Sequence, residues 1–222
     1  MSCDEPKILY RIAVPSDCER IREALLTFHY PKESVHVAYV GQQIADPLRD
    51  DAQYALTFVQ QGMAVIAIDV DHNRIVGVSI ARCVRSGTAE QLLDEATTLG
   101  EGRRAEVLRL YAHLERNADV CGRFRVRRTY HVFVLAVDPR ERRRAIGQKL
   151  MEFQLARGKS LEYRVVSADF TSDQAARIGA RIDMRCVSAL ALGQYRNPSG
   201  EQPFVAPPDR IISTYARYVA GV

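Results

Sequence analysis

The run Val134-Leu135-Ala136-Val137-Asp138-Pro139-Arg140-Glu141-Arg142-Arg143-Arg144-Ala145-Ile146-Gly147-Gln148-Lys149-Leu150 decides the fold. It opens on the end of a continuously apolar, β-branched stretch that starts near Tyr130, the pattern of a strand covered on both faces. Asp138-Pro139 ends that strand, because proline lacks the N–H that a ladder needs. Ile146, Leu150, Phe153 and Arg157 then recur at helical spacing. Between strand and helix lie arginines and small residues. The first N–H groups of a helix are unpaired and its dipole is positive there, so phosphate oxygens can be cradled at such a junction. Neighbouring arginines add charge and forked donors. An arginine run alone reads more simply as a solvated basic helix start. The strand, the Asp-Pro stop and Ala145-Ile146-Gly147 together favour an anion-binding turn.

Working outward, Tyr163 to Ala168 reads as the next strand, which makes a strand-helix-strand crossover. A helix from about Ser172 to Ile182, a strand at Val187 to Leu192, a turn at Asn197-Pro198-Ser199-Gly200 and a last segment from Ile211 to Val219 complete this side. Upstream, Ile8 to Ile12 is a short strand, and Ser16 with Glu19 gives a capping box before an amphipathic helix carrying Cys18, Ile21, Leu25 and Phe28. A second helix is expected from about Asp46 to Gln61. Met63 to Ile68 and Ile75 to Ala81 are strands joined at Asp71-His72-Asn73. From about Ala89 to Asn117 the pattern is helical, divided by Gly100 and Gly102, and its mid-chain place suggests an insertion over about 86–119. The expectation is one α/β domain spanning 1–222.

Composition agrees with a globular chain of 222 residues, 47% hydrophobic and 26% charged, and excludes disorder, collagen and coiled coil. The longest purely apolar runs, Met63 to Ile68 and Val132 to Val137, fall far short of the roughly 20 residues that span a bilayer. Met1 to Pro6 has no apolar leader and no glycine at position 2, so a soluble cytoplasmic protein is expected. Five scattered cysteines offer neither a zinc set nor a redox pair, and no metal is expected. The net charge of +4 is mild, although Arg123, Arg125, Arg127 and Arg128 form one cluster and Arg140, Arg142, Arg143 and Arg144 another. A nucleic-acid surface on these clusters is the alternative, but no recognised reading module accompanies them, and neither nucleic acid nor membrane is expected as a partner.

Arg142-x-x-Ala145-x-Gly147 resembles the acyl-CoA signature of the GNAT superfamily of N-acetyltransferases, commonly written R/Q-x-x-G-x-G/A, with alanine in place of the first glycine. The likeness narrows to the insect arylalkylamine N-acetyltransferases. Those proteins carry a phenylalanine-rich patch and a Glu-Pro-Leu-like motif after the first helix, matched by Phe28-His29-Tyr30-Pro31-Lys32-Glu33-Ser34-Val35 with Ser-Val for Pro-Leu. Arg74-Ile75-Val76-Gly77-Val78, the helical insertion, and the tail Tyr195-Arg196-Asn197-Pro198-Ser199-Gly200 followed by Pro207-Pro208 are also similar, so the resemblance spans nearly the whole chain. It implies the GNAT fold, a mixed, mostly antiparallel sheet of about seven strands flanked by helices. It also implies acetyl-CoA as co-substrate and a small amine as acceptor. On this reading Arg142, Arg143, Arg144, Ala145, Ile146, Gly147 and Gln148 hold the pyrophosphate, and Leu135, Ala136 and Val137 pair with the pantetheine arm like an added strand.

Amine acylation needs the free base, and an amine with a pKa near 10.4 is only about one part in a thousand unprotonated at neutral pH. The resemblance makes Glu33 the candidate base. Its neighbours Phe28, His29 and Tyr30 are expected to raise its carboxyl and to receive an aromatic substrate. Without the resemblance, Glu33 is a loop glutamate. His29 is a rival base on the imidazole's ordinary pKa, and a surface or packing role is its plainer reading. His131, in the buried strand, reads as a core histidine; His36, His72 and His113 have no partner visible in sequence. Family members use serines after the strand that follows the CoA-binding helix; Thr171 falls at the earlier position and Ala175 at the later. Thr171 is thus a candidate proton donor to the departing thiolate, and Thr171-Ser172 is equally a helix cap. The tyrosine that many GNAT enzymes use as acid falls at Gly179, and the family's histidine after Pro-Pro is Asp209. The alternative is an acyl-CoA-binding protein of this fold that is non-catalytic or takes a polyamine, an amino acid or a long acyl chain.

Overall fold

The apolar run around Val134 forms the middle strand, β4, of a seven-stranded sheet. The computed structural model describes residues 7–40, 47–141 and 143–219. Its strands are β1 (Ile8–Ile12), β2 (Ala64–Asp69), β3 (Arg74–Arg85), β4 (Arg128–Val137), β5 (Val165–Phe170), β6 (Arg185–Ala191) and β7 (Ile211–Tyr218). The helices are α1 (Cys18–Ala24), α2 (Ser34–Ala38), α3 (Pro47–Leu56), α4 (Thr88–Leu99), α5 (Arg103–Ala118), α6 (Val120–Arg123), α7 (Ile146–Ser160) and α8 (Asp173–Arg181). Strand order is β1-β2-β3-β4-β5-β7-β6, with β4 and β5 parallel and the other pairs antiparallel. A parallel pair needs a crossover, and α7 supplies it.

Both faces of the sheet are covered, which is why β2 is buried at all six positions. Val65 and Ala67 pack with Val76 beneath Ile146 and Leu150 of α7. Ala64, Ile66 and Ile68 face the other way, toward Ile21 of α1, Leu25 just beyond it, and Ala52 and Leu56 of α3. The approach of α7 is close: a Cβ on Gly77 of β3 would lie 2.9 Å from Leu150 Cδ1. Gln154, fully buried on α7, accepts from the Tyr130 hydroxyl at 2.7 Å and donates to the Ser79 carbonyl at 2.9 Å, tying helix to sheet. Each such bond contributes about 1 kcal/mol net.

Three local features differ from the sequence expectation. The first helix is opened by Asp17 rather than by Ser16. The Asp17 carboxylate accepts from Val14 N at 2.8 Å while it pairs with Arg11 at 2.7 Å, because a carboxylate held by a cation is the stronger acceptor. After Ala24 the helix widens into a π turn, Leu25–His29, before Tyr30-Pro31. In β4, pairing with β3 skips Phe133: Val132 lies opposite Ala81 and Val134 opposite Ile80. This bulge reverses the side-chain alternation. Val132 therefore packs with Met151 on the α7 side, whereas Val134 packs with Phe28 and Ile80 on the α1 side.

The bulge also ends the parallel pairing. β4 meets β5 only through Tyr130↔Val166, His131↔Ser167 and Val132↔Ala168. Beyond Val132 the two strands diverge. Leu135, Ala136 and Val137 bond to β3 on one side and have no strand on the other among the described residues.

Candidate active site

A cleft passes through the sheet where β4 and β5 part. Phe133, Val134 and Leu135 form its floor, and Asp169, Phe170 and Thr171 its β5 edge. On the α5 side it is walled by His29, Tyr30, Glu33, His36, Asp51, Tyr54, Arg82 and Tyr111. Leu135 and Ala175 carry it toward α7 and α8.

Glu33 is the N-cap of α2, its carboxylate accepting from Val35 N at 2.8 Å and His36 N at 3.0 Å. The same oxygen, Oε2, takes the His36 Nδ1 proton at 2.8 Å. Oε1 is buried and has no partner. His36 Nε2 lies 3.0 Å from Asp51, and Asp51 accepts from Arg103 at 2.5 Å. Burial alone would raise the Glu33 carboxyl, but the His36 hydrogen bond and charge outweigh it and hold the group at about 2. Burial likewise opposes protonation of His36, yet Asp51 and Glu33 raise it above its ordinary value. The aromatic neighbours thus fail to lift Glu33 as expected, because the imidazole three places on bonds to it and has a carboxylate at each ring nitrogen. His36 lines the cleft and couples Glu33 to Asp51, a pairing the sequence reading did not anticipate. The Glu-Ser-Val-His spacing across a helix cap was the available signal. His29 lines the same cleft beside Tyr30, with ring centroids 4.8 Å apart; burial lowers it to about 4, so it is neutral at neutral pH.

His131 is buried as the strand pattern suggests, with Nδ1 3.0 Å from Ser167 Oγ and Nε2 3.2 Å from Asp169. Asp169 also accepts from Thr214 Oγ1 at 2.6 Å. Burial would raise its carboxyl, but the charge and hydrogen bond of His131 lower it. Thr171 faces the cleft, and Ser172, not Thr171, caps α8 through Ala175 N. Ala175, where the resemblance puts a second hydroxyl, faces the cleft as well. Gly179 has no room for a tyrosine: any Cβ there would lie 2.5 Å from Phe170 Cε2 and 3.1 Å from Tyr215.

On the far side, the turn from Asp138 to Ala145 is braced from within. Arg74 pairs with Asp138 at 2.8 Å and with Glu141; Arg140 binds Asp138 at 2.7 Å and Arg144 binds Glu141 at 2.5 Å. One expected phosphate donor, Arg144, therefore serves the turn's own acid. Arg143 is exposed with no ion pair among the described residues, and Arg142 lies outside them. Ala145 sits at φ 54°, in the left-handed region, as the helix N-cap, which is the reason the signature prefers glycine there. Ile146 and Gly147 are buried behind it, and a Cβ on Gly147 would lie 3.0 Å from Ile178 Cδ1. Gln148 is turned to Glu152, 2.9 Å away. The free edge at Leu135–Val137 and this helix start suit an extended thiol arm and its phosphates by hydrogen-bond type. No group of three or more metal-ligating side chains and no helix long and apolar enough to cross a membrane occurs among the described residues.

No protein-family model and no curated protein matches the chain. Solved structures do. A mosquito arylalkylamine N-acetyltransferase-like 5b is 37% identical with a TM-score of 0.90, covering 96% of this chain and 100% of that one. A Drosophila melanogaster polyamine N-acetyltransferase, which forms N-acetylagmatine, is 29% identical with a TM-score of 0.87, covering 96% and 100%. An Arabidopsis thaliana NAA60 bound to acetyl-CoA, 17% identical with a TM-score of 0.55 over 97% and 100%, shares the fold. Identity and coverage at the level of the mosquito protein, on a sheet split at the same motif that the sequence pointed to, place this chain in the arylalkylamine N-acetyltransferase-like family of GNAT proteins.

Proposed function

We propose that the protein is an acyl-CoA-dependent N-acyltransferase that moves acetyl from acetyl-CoA to the primary amine of an arylalkylamine. The observation that carries this reading is the cleft itself. It joins an unpaired strand edge beside a helix start to an aromatic chamber in which a buried carboxylate oxygen, Glu33 Oε1, has no partner. Acetyl-CoA supplies the electrophilic thioester carbonyl. The backbone of Leu135–Val137, with Ala145, Ile146, Gly147, Gln148 and the Arg142–Arg144 run, holds the donor, and Tyr30, Tyr54 and Phe133 receive the aryl group.

Glu33 acts as the base through its coupling to His36. A carboxylate held at about 2 binds no proton alone at neutral pH, and taking one from an amine near 10.4 is uphill by about 11 kcal/mol at roughly 1.36 kcal/mol per unit. Its fixed charge instead draws the ammonium to Oε1. That puts two cations on one carboxylate, and loss of the His36 proton to solvent frees Glu33 to accept one from the amine. The nitrogen then attacks the carbonyl, the C–S bond breaks, and the second amine proton passes through the Thr171 hydroxyl to the departing thiolate, so that the amide and the free thiol form and Thr171 ends as it began. Holding both partners in line supplies much of the rate.

A second reading, transfer to a polyamine, is favoured by the carboxylates Asp51 and Asp169 on the wall and by the likeness to the Drosophila enzyme. Thiol release from acetyl-CoA over arylalkylamines and polyamines, alongside calorimetric CoA binding, separates the two. Turnover of phenylethylamine or tryptamine above putrescine and agmatine is expected. The reverse order assigns the polyamine reading, and CoA binding without turnover of any amine overturns both.

A further inference from the structure

Arg82 is a buried cation with no carboxylate at ion-pair distance among the described residues, its charge reaching Asp169 and Glu115 only from farther off. It lies on β3 opposite His131, is 5% exposed, and lines the cleft. Its one hydrogen bond among the described residues, Nη1 to the Tyr54 hydroxyl, is 3.5 Å long, and its Nε has no acceptor there. The guanidinium carbon lies 5.8 Å from the Tyr111 ring centroid and 5.6 Å from that of Phe133, so aromatic faces hold the group without discharging it.

The acids around it are engaged elsewhere. Asp169 serves His131 and Thr214, Asp51 serves His36 and Arg103, and Glu33 serves His36. Glu115 is pushed toward its neutral form by burial. Arg104, the other arginine on the wall, differs: it has Glu95 at 3.0 Å and the Asp50 carbonyl at 3.0 Å. Burying a charge without a partner is strongly unfavourable, and forked N–H donors match a carboxylate. A protein that keeps such a group facing its substrate chamber has a partner arriving with the substrate.

We propose that Arg82 binds a carboxylate carried by the amine substrate, so that among the primary amines this enzyme takes, those that carry a carboxylate, amino acids and related amino-carboxylates, are preferred. This rests on the acyltransferase reading above and narrows it: the aromatic wall takes the side chain, Glu33 the amino group and Arg82 the carboxylate. A site built to bond a polar group discriminates against analogues that lack it, because its own group is then left unpaired.

The test uses matched pairs that differ by the carboxylate: phenylalanine and phenylethylamine, ornithine and putrescine, 5-aminopentanoate and pentylamine. The wild-type protein is expected to favour the carboxylated member in kcat/KM. Arg82→Met is expected to lower that preference about tenfold to hundredfold through KM, and Arg82→Lys to restore part of it. Preference for the decarboxylated members by wild type, or an equal loss for both members in Arg82→Met, overturns the assignment; the latter marks a structural or oxyanion role. Should no amine of either kind be turned over, the acyltransferase reading falls separately. The Arg82 site is then read by thermal shift with the unreactive phenylpropionate and pentanoate. Stabilisation of wild type but not of Arg82→Met supports the site, and no shift in wild type, or an equal shift in both, refutes it.

Discussion

On the α7 side of the cleft the molecule offers main chain: an open strand edge and the first amides of a helix, braced by Arg74, Arg140 and Arg144 on two acids beneath them. On the α5 side it offers side chains, brought together from the end of α1, from α2, α3, α5, β3 and β5. The difference sets what mutation can do. Every residue type but proline has an N–H, so the donor side tolerates most changes of side chain. On the acceptor side most charges, Arg82 apart, partner one another in a buried interior, and removing one strands the next.

The largest effect that would sharpen this contrast is expected from Asp51→Ala, which leaves Arg103 and His36 buried without their shared acceptor. A loss of about 3–5 kcal/mol is expected in urea unfolding; a loss under 1 kcal/mol would break the picture of a tightly coupled acceptor wall. Glu33→Gln keeps the shape and the cap but removes the charge. The expected result is a fall of about 10²–10³ in kcat/KM for the amine with calorimetric acetyl-CoA affinity unchanged. Equal losses in turnover and CoA affinity would show that the two sides are not separable.

Acid titration comes next. Glu33 and Asp169 have lowered carboxyls, so their stabilisation is present above the unfolded values of 4.5 and 3.8 and is lost as pH falls through the folded ones, for Glu33 down to about 2. His36 is raised, so its contribution is present below 6.5 and is lost as pH rises through its folded value. The urea midpoint should therefore fall between pH 4.5 and 2 less steeply in Glu33→Gln than in wild type; identical slopes would remove Glu33 from the linkage. The smallest effects belong to the donor side. Arg143→Ala should weaken acetyl-CoA binding only severalfold. Ala145→Gly should change stability by less than about 1 kcal/mol, because relief of the left-handed strain is offset by glycine's greater unfolded freedom.

The same contrast explains what could be read in the sequence. The crossover from β4 to β5 was legible because strand, stop and helical periodicity are contiguous, and the arginine-rich turn lay inside them. The bulge at Phe133 was not, since a run that is apolar at every position has no alternation to interrupt. Asp51, Arg82, Tyr111 and Asp169 each read as an ordinary residue of its own element. Only tertiary folding gives them a common address, and nothing local distinguishes Arg82 from the solvated arginines of Arg123 to Arg128. His36 stood between these cases, close enough to Glu33 in sequence to have been paired with it.

The three residue pairs that join β4 to β5 make the sheet two leaves with a short stitched seam, one leaf β1 to β4 and the other β5, β7 and β6. A seam left unstitched along part of its length is a slot that no segment has to vacate. Cargo laid into it completes the backbone pairing of the leaves rather than competing with it. On the proposed function the donor is a missing strand of the protein's own sheet, and the amide hydrogens of residues 134–137 should exchange more slowly with deuterated solvent once acetyl-CoA is added.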